Sequence, residues 1–211
     1  MKQGFFVTGT DTNVGKTVVS AALVCALRER HKVCYWKPIQ TGIETDNDTQ
    51  TVRDLANCAE TEIFDVGLRL EKPFSPHLSA RLANVSIEID AIARLFEKAS
   101  DDSVWIVEGA GGVFVPLNEK DLMIDLITKL KLPVIIAARS GLGTINHTLL
   151  TLEALRKQGL EIAGVIMSGA PNAENRAAIE HFGAVKVLGE LPFINNLKFD
   201  DLQNWAKNLQ I

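Results

Sequence analysis

Apolar positions along the chain fall into short continuous runs that alternate with longer amphipathic stretches. Gly4–Thr8, an aromatic and β-branched run, predicts a buried strand. Lys16–Arg30, rich in Ala, Leu and Val and closed by Arg28-Glu29-Arg30, predicts a helix. Val33–Trp36 predicts a second strand, stopped by Lys37-Pro38. Residues 38–50 are polar and read as a loop leading to a helix near Asp48–Ala59. Residues 60–85 carry no clear period and are broken by Pro73 and Pro76, so they read as irregular, with a short helix after His77. Ile87–Ala99 places Ile89, Ile92, Leu95, Phe96 and Ala99 on one helical face. Val104–Val107 predicts a strand ending at Glu108 and a turn through Gly109-Ala110-Gly111-Gly112. Pro133–Ala138 predicts a strand, and Gly141 and Gly143 then precede a helix to Gln158. A strand at Ile162–Met167, a helix across Asn175–Phe182, a strand at Val185–Leu188 and a helix at Phe199–Leu209 follow.

Strands that are apolar throughout and alternate with helices imply an α/β fold, a doubly wound, mostly parallel sheet covered on both faces. No internal repeat or low-complexity linker divides the chain, so residues 1–211 are expected to form one domain. Ligands of such sheets bind beyond the carboxyl ends of the strands. That rule selects Thr8-Gly9-Thr10, Lys37-Pro38, Glu108-Gly109, Ala138-Arg139 and Ser168-Gly169.

The first of these carries a motif with an irregularity. In "GTDTNVGKT", Gly15-Lys16-Thr17 complete the phosphate-loop pattern G-x-x-x-x-G-K-[ST], but Thr10 stands where the first glycine belongs and Gly9 comes one residue early. Consecutive N–H groups leading from a strand into a helix cradle anions. Gly15 lets the backbone approach phosphate, Lys16 neutralises the β- and γ-oxygens, and the Thr17 hydroxyl is a Mg²⁺ ligand. The strand–loop–helix setting marks a nucleoside triphosphate site with a variant loop.

Glu108, between a buried strand and three glycines, is placed for a second metal-side carboxylate, against the alternative of a surface turn. Lys37 at a strand end either faces the γ-phosphate beside Lys16 or reaches past the strand into solvent. Asp48, close to Asp46 and Glu44, reads on spacing alone as solvated acid. His77 and His147 read as hydrogen-bonded structural histidines, and Trp36 and Trp105 as core.

Composition narrows the class. The chain is 46% hydrophobic and 23% charged, with 22 basic against 26 acidic residues and a net charge of −4, so nothing points to nucleic acid or anionic lipid as a partner. Cys25, Cys34 and Cys58 form no disulfide or zinc pattern, and Phe5-Phe6-Val7 is too short for a leader or a membrane span. A cytoplasmic protein is expected.

Several separated motifs together resemble the ATP-dependent dethiobiotin synthetase family: "FVTGTDTNVGKT" at 6–17, "KPIQTG" at 37–42, "SPH" at 75–77, "VEGAGGVFVPL" at 107–117, "LGTINHTLLT" at 142–151 and "LGELPF" at 188–193. The resemblance spans nearly the whole chain and makes the displaced glycine a family feature. It implies a P-loop fold of the variant Walker A, nitrogenase iron protein-like class. It also implies MgATP-dependent ring closure of 7,8-diaminononanoate with CO₂, through a carbamate and a carbamic-phosphoric anhydride.

By the same resemblance, Lys37, Lys16 and Thr12 are catalytic, and Thr17, Asp48 and Glu108 are the metal ligands, with Asp46 a competing alignment for Asp48. The nucleotide is assigned to Asn13, Val14, Gly15, Lys16, Thr17, Val18, Asp48, Glu108, Gly109, Ala110, Gly111, Ser168, Pro192, Phe193 and Ile194. Substrate is assigned to Thr12, Lys37 and Thr41, and to Gly143, Thr144, Ile145 and Asn146, which reach the partner's substrate tail in a homodimer. One departure is visible: Ser168-Gly169 stand where relatives commonly carry Asn-Asp, and a serine cannot read adenine bidentately. A partition-type ATPase is the nearest rival, but Asp11 occupies its signature lysine position and Leu197–Ile211 is not basic.

Overall fold

The computed structural model describes residues 2–100 and 102–211. Its elements run β1 (Gln3–Gly9), α1 (Lys16–Arg28), β2 (Val33–Trp36), β3 (Ile39–Thr41), α2 (Asp48–Leu55), a 3-10 turn at Glu60–Glu62, β4 (Leu68–Leu70), α3 (Pro76–Leu82) and α4 (Ile89–Lys98). They continue β5 (Val104–Gly112), α5 (Met123–Leu130), β6 (Val134–Arg139), α6 (Thr144–Lys157), β7 (Ile162–Ser168), α7 (Ala173–Gly183), β8 (Val187–Leu191) and α8 (Phe199–Ala206).

The main sheet has six strands in the order β2-β5-β1-β6-β7-β8, with every neighbouring pair parallel. Side chains alternate across it as a pleat requires. Phe6, Trp36, Trp105, Val107, Ile136 and Met167 enter one core, with α4, α5, α6 and α7 over them. Val7, Tyr35, Ile106, Ile135 and Ile166 enter the other, under α1, α2 and α8. Burial on both faces explains why these strands read as unbroken apolar runs. Trp36 and Trp105 are core residues as expected, their rings packed with Phe64 and Phe96, and each indole N–H donates to a backbone carbonyl.

Four expectations need correction. The polar segment after Pro38 contains β3, which pairs in parallel with β4 from the supposedly irregular stretch. Gly109 to Gly112 are not a turn but the end of β5, where Gly112 pairs with Gly9. Helix α5, which the sequence pattern does not predict, starts without a side-chain cap at Leu122; Asp125 Oδ2 instead reaches back to accept from the Leu122 N–H at 2.7 Å. The last strand also lies slightly later, at Val187–Leu191.

Candidate active site

β1 lies between β5 and β6, and the loop from β1 into α1 opens at the carboxyl edge of the sheet. Gly15 is the N-cap of α1 with φ 87°, a left-handed conformation that glycine adopts without strain. The early Gly9 has a different reason. A Cβ there would stand 2.7 Å from the Asp11 carbonyl, 2.8 Å from a Val14 methyl and 3.1 Å from Lys16 Cδ. The loop folds back tightly over the strand end, and the Lys16 stem crosses the gap that only a bare Cα leaves. The displaced glycine is a contact requirement, not a lost one.

Lys37 follows β2 directly and is buried, 3% exposed. Its ammonium donates to Asp48 Oδ2 at 2.6 Å, Glu108 Oε1 at 2.7 Å and the Gly109 carbonyl at 3.0 Å, which uses all three protons. The open question about Lys37 is thereby answered: it turns into the site, not out to water. The Thr17 hydroxyl sits 2.8 Å from Asp48 Oδ1 and 3.1 Å from Glu108 Oε1, donating to one at a time. Glu108 is wholly buried, and its second oxygen accepts from Tyr35 Oη at 2.9 Å. Asp48, rather than Asp46, joins this cluster; the Asp46 carbonyl accepts from the Gln40 side chain.

Burial would depress the Lys37 ammonium, but the charges of Glu108 and Asp48 outweigh it and hold its pKa above the ordinary lysine value. Burial would likewise raise Asp48, and Lys37 overrides that and holds it below the usual carboxylate value. Among the described residues no carboxylate contacts Lys16, which donates to the Asp11 carbonyl at 3.1 Å; burial, then the Lys37 charge, pulls its pKa down. Burial, then Glu108, pushes the Tyr35 hydroxyl well above its ordinary value, so it stays a neutral donor. Tyr35 was missed from sequence; the available signal was the chain's single tyrosine set next to Trp36-Lys37 at a strand end.

A cavity of about 700 Å³ lies over this cluster. Of the expected residues, Thr12, Asn13, Gly15, Lys16, Thr17, Val18, Lys37, Thr41, Asp48, Glu108, Ala110 and Gly111 line it. Pro73, Phe74, Ser75, Pro76 and Val115 line it too and had not been assigned to it. Val14 does not face it; its side chain is 2% exposed and packs in the core. Ser168 stands behind the loop, its Oγ 2.8 Å from where a Cβ on Gly15 would be.

Pro192, Phe193 and Ile194 follow β8 at the same edge but do not line the cavity, and Phe193 is largely exposed. Gly143 to Asn146 open α6 outside it as well, and the Thr144 side chain is buried rather than offered outward. His77 meets Ser75 Oγ at 3.0 Å, as a structural histidine should. His147 differs from expectation: its Nδ1 is buried and meets no partner among the described residues, at a second cavity of about 280 Å³ shared with Thr12, Phe114 and Leu150.

Thr17, Asp48 and Glu108 form an oxygen-only donor set with a cation, the Lys37 ammonium, already between its carboxylates. That chemistry fits Mg²⁺ rather than a transition metal. Among the described residues no cluster of three or more His, Cys, Asp or Glu could hold an ion. Two carboxylates and one hydroxyl suit an ion whose shell is completed by phosphate oxygens and water.

The AAA domain family matches residues 3–200. The ATP-dependent dethiobiotin synthetase BioD of Paramagnetospirillum magneticum is 48% identical over 189 residues, covering 90% of this chain and 87% of its own. The chain belongs to the ATP-dependent dethiobiotin synthetase family. The biotin biosynthesis bifunctional protein BioCD of Bordetella avium is 48% identical over 208 residues, but this chain spans only 43% of that longer protein. Among solved structures, the septum site-determining protein MinD of Pyrococcus horikoshii, complexed with Mg-ADP, superposes with a TM-score of 0.63 at 14% identity over 98% of this chain and 95% of its own. At that identity the likeness shows the fold alone, a P-loop fold that the synthetase family shares with positioning ATPases.

Proposed function

We propose that residues 1–211 act as one catalytic domain that closes the cyclic urea of dethiobiotin from 7,8-diaminononanoate, CO₂ and MgATP. The observation that carries this reading is the Lys37 ammonium, buried beside Lys16 and above the Gly15 loop, in a cavity that also contains Thr12 and Thr41. A substrate amine adds to CO₂ and loses a proton, giving a carbamate. A carbamate oxygen attacks the γ-phosphorus and ADP leaves. The second amine then attacks the carbonyl carbon of the mixed anhydride, phosphate departs with its electron pair, and the amine proton is lost.

Both partners in the second step are anions, and ammonium groups at Lys16 and Lys37 lower the cost of bringing them together. Thr12 and Thr41 hydroxyls orient the carbamate. Thr17, Asp48 and Glu108 hold Mg²⁺, which when bound neutralises phosphate charge. The backbone of the loop from Asn13 to Val18, with Gly109 to Gly111 of β5, surrounds the phosphates, while Ser168 and Pro192 to Ile194 take the base side.

A homodimer completes the reading, with Gly143 to Asn146 of one protomer receiving the carboxylate tail bound to the other through backbone N–H groups. The exposed Leu142, Phe114 and Leu150 supply an apolar surface for that contact. Among the described residues no helix is long and apolar enough to cross a membrane. We place the reaction in the cytosol, which suits the three free cysteines.

ADP release that requires both the diamine and bicarbonate tests the reading; release indifferent to the diamine overturns it. The rival positioning-ATPase function predicts just that indifference. Asp11 also argues against the rival, since its carboxylate caps the Thr12 N–H and pairs with Arg139 at 2.6 Å instead of presenting a lysine.

Base discrimination gives a second expectation. Ser168 has one hydroxyl for the adenine edge, and its neighbour cannot easily be enlarged, because a Cβ on Gly169 would lie 2.4 Å from Ser140 Oγ. GTP and CTP are expected to support turnover with kcat/KM within about tenfold of ATP, the scale of one lost hydrogen bond. A preference for ATP of 10³ or more would refute this.

A further inference from the structure

The segment before α3, unreadable from sequence, is what holds the backbone of Lys37. The Lys37 carbonyl lies just past the last residue of β2, where the ladder with β5 has ended and, among the described residues, no strand donor faces it in the register. Arg69 on β4 closes this gap: its Nη1 donates to the Lys37 carbonyl at 2.9 Å, and its Nη2 donates to Asp65 Oδ1 at 2.8 Å. Adjacent contacts reinforce the same junction. The Leu68 N–H donates to the Pro38 carbonyl at 2.9 Å, and the Trp36 indole N–H donates to the Val66 carbonyl at 2.5 Å. Gly67 passes so close that a Cβ would stand 2.5 Å from the Pro38 carbonyl oxygen.

At rest the ammonium of Lys37 is held at its tip by Asp48, Glu108 and the Gly109 carbonyl. On the reading above, those tip contacts must yield to the reacting phosphoryl group. The place of the ammonium is then set by the backbone from which its four-carbon stem springs. We propose that Arg69 is a positioning residue for Lys37, its guanidinium fork fixing the Lys37 carbonyl against β4 so that the released ammonium meets the transferring phosphoryl. This rests on the synthetase reading of the site. The forked geometry matters because one guanidinium spans carbonyl and carboxylate together, which a single ammonium cannot do.

The test compares R69M, R69K and D65N with the wild type in diamine-dependent ADP release, alongside ATP binding and thermal unfolding. R69M is expected to lower kcat by roughly 10- to 100-fold, the scale of a small displacement of a catalytic group, with KM for ATP changed less than about threefold. R69K is expected to fall between R69M and the wild type. D65N removes the charge of the exposed outward partner but keeps an oxygen that can accept from Nη2, so the fork persists and kcat is expected to stay within about threefold. Wild-type kcat in R69M overturns the proposal. So does a parallel loss of kcat, ATP binding and melting temperature that R69K does not relieve. If R69M does not fold, R69K decides: a lowered kcat at unchanged KM for ATP supports the positioning role, and wild-type kcat ends it. A wild-type enzyme without diamine-dependent turnover refutes the synthetase reading instead, which keeps the two failures apart.

Discussion

Replacing Lys37 with alanine is expected to lower kcat by about 10³-fold or more while ATP still binds, because the lost contact acts on charge that develops as the phosphoryl group transfers. Turnover and nucleotide binding measured side by side check this, and an unchanged kcat removes Lys37 from the mechanism. The same substitution has a stability signature. It strips the cation from between Asp48 and the wholly buried Glu108, which costs roughly 3 kcal/mol, as for other broken buried ion pairs.

The sign with pH follows from the shifts. Asp48 is held below its ordinary pKa of 3.8 and Lys37 above its ordinary 10.5. In the wild type the pairing therefore stabilises the fold across that whole interval. It is lost in acid as pH falls through the lowered Asp48 value, and in alkali as pH rises through the raised Lys37 value. K37A lacks this plateau, so its melting temperature is expected to lie below wild type at neutral pH and to approach it in acid. Mg²⁺ without nucleotide should raise the melting temperature of K37A and leave the wild type nearly unmoved, since the wild type already carries a cation between the two acids. Equal responses in the two proteins would show that lysine and metal do not compete for these oxygens.

The second large effect is expected at Glu108. Glu108→Gln keeps the shape but removes the charge that Lys37, Thr17 and Tyr35 all address. Lys37 retains Asp48, and the Tyr35 hydroxyl can turn to accept from the new amide, so the fold should survive with a loss of about 1–3 kcal/mol. The Mg²⁺ concentration for half-maximal ADP release is expected to rise at least 10- to 100-fold, and kcat to fall with it. A Mg²⁺ titration of E108Q that overlays the wild type would exclude Glu108 as a metal-side ligand.

Much of this arrangement could be read from the chain, and the unread parts share a physical cause. The doubly wound sheet was visible because strands buried on both faces become unbroken apolar runs, and the phosphate loop because its residue types are dictated by chemistry. Lys37 and Glu108 were suspected from their places at strand ends, whereas Asp48 needed family resemblance, since a carboxylate in a polar loop looks solvated until Lys37 and Thr17 are seen to face it. β3 and β4 span three residues each and form a two-stranded sheet of their own, too short for any period to register. Gly109-Ala110-Gly111-Gly112 reads as a turn because it is glycine-rich, yet it ends β5, and Gly112 lies so close to β1 that a Cβ there would stand 3.2 Å from the Gly9 carbonyl. Arg69 and Tyr35 were illegible for a related reason, since each acts through a partner more than 30 positions away in sequence.

The crossing of the Lys16 stem over Gly9 also has a consequence for protein engineering. A graft that transplants only the segment from Thr10 onward into another nucleotide-binding scaffold would leave whatever side chain ends the host strand pressed into the incoming loop. The smallest portable cassette therefore begins at Gly9, one residue inside the strand, and a chimera cut there has room to seat its lysine.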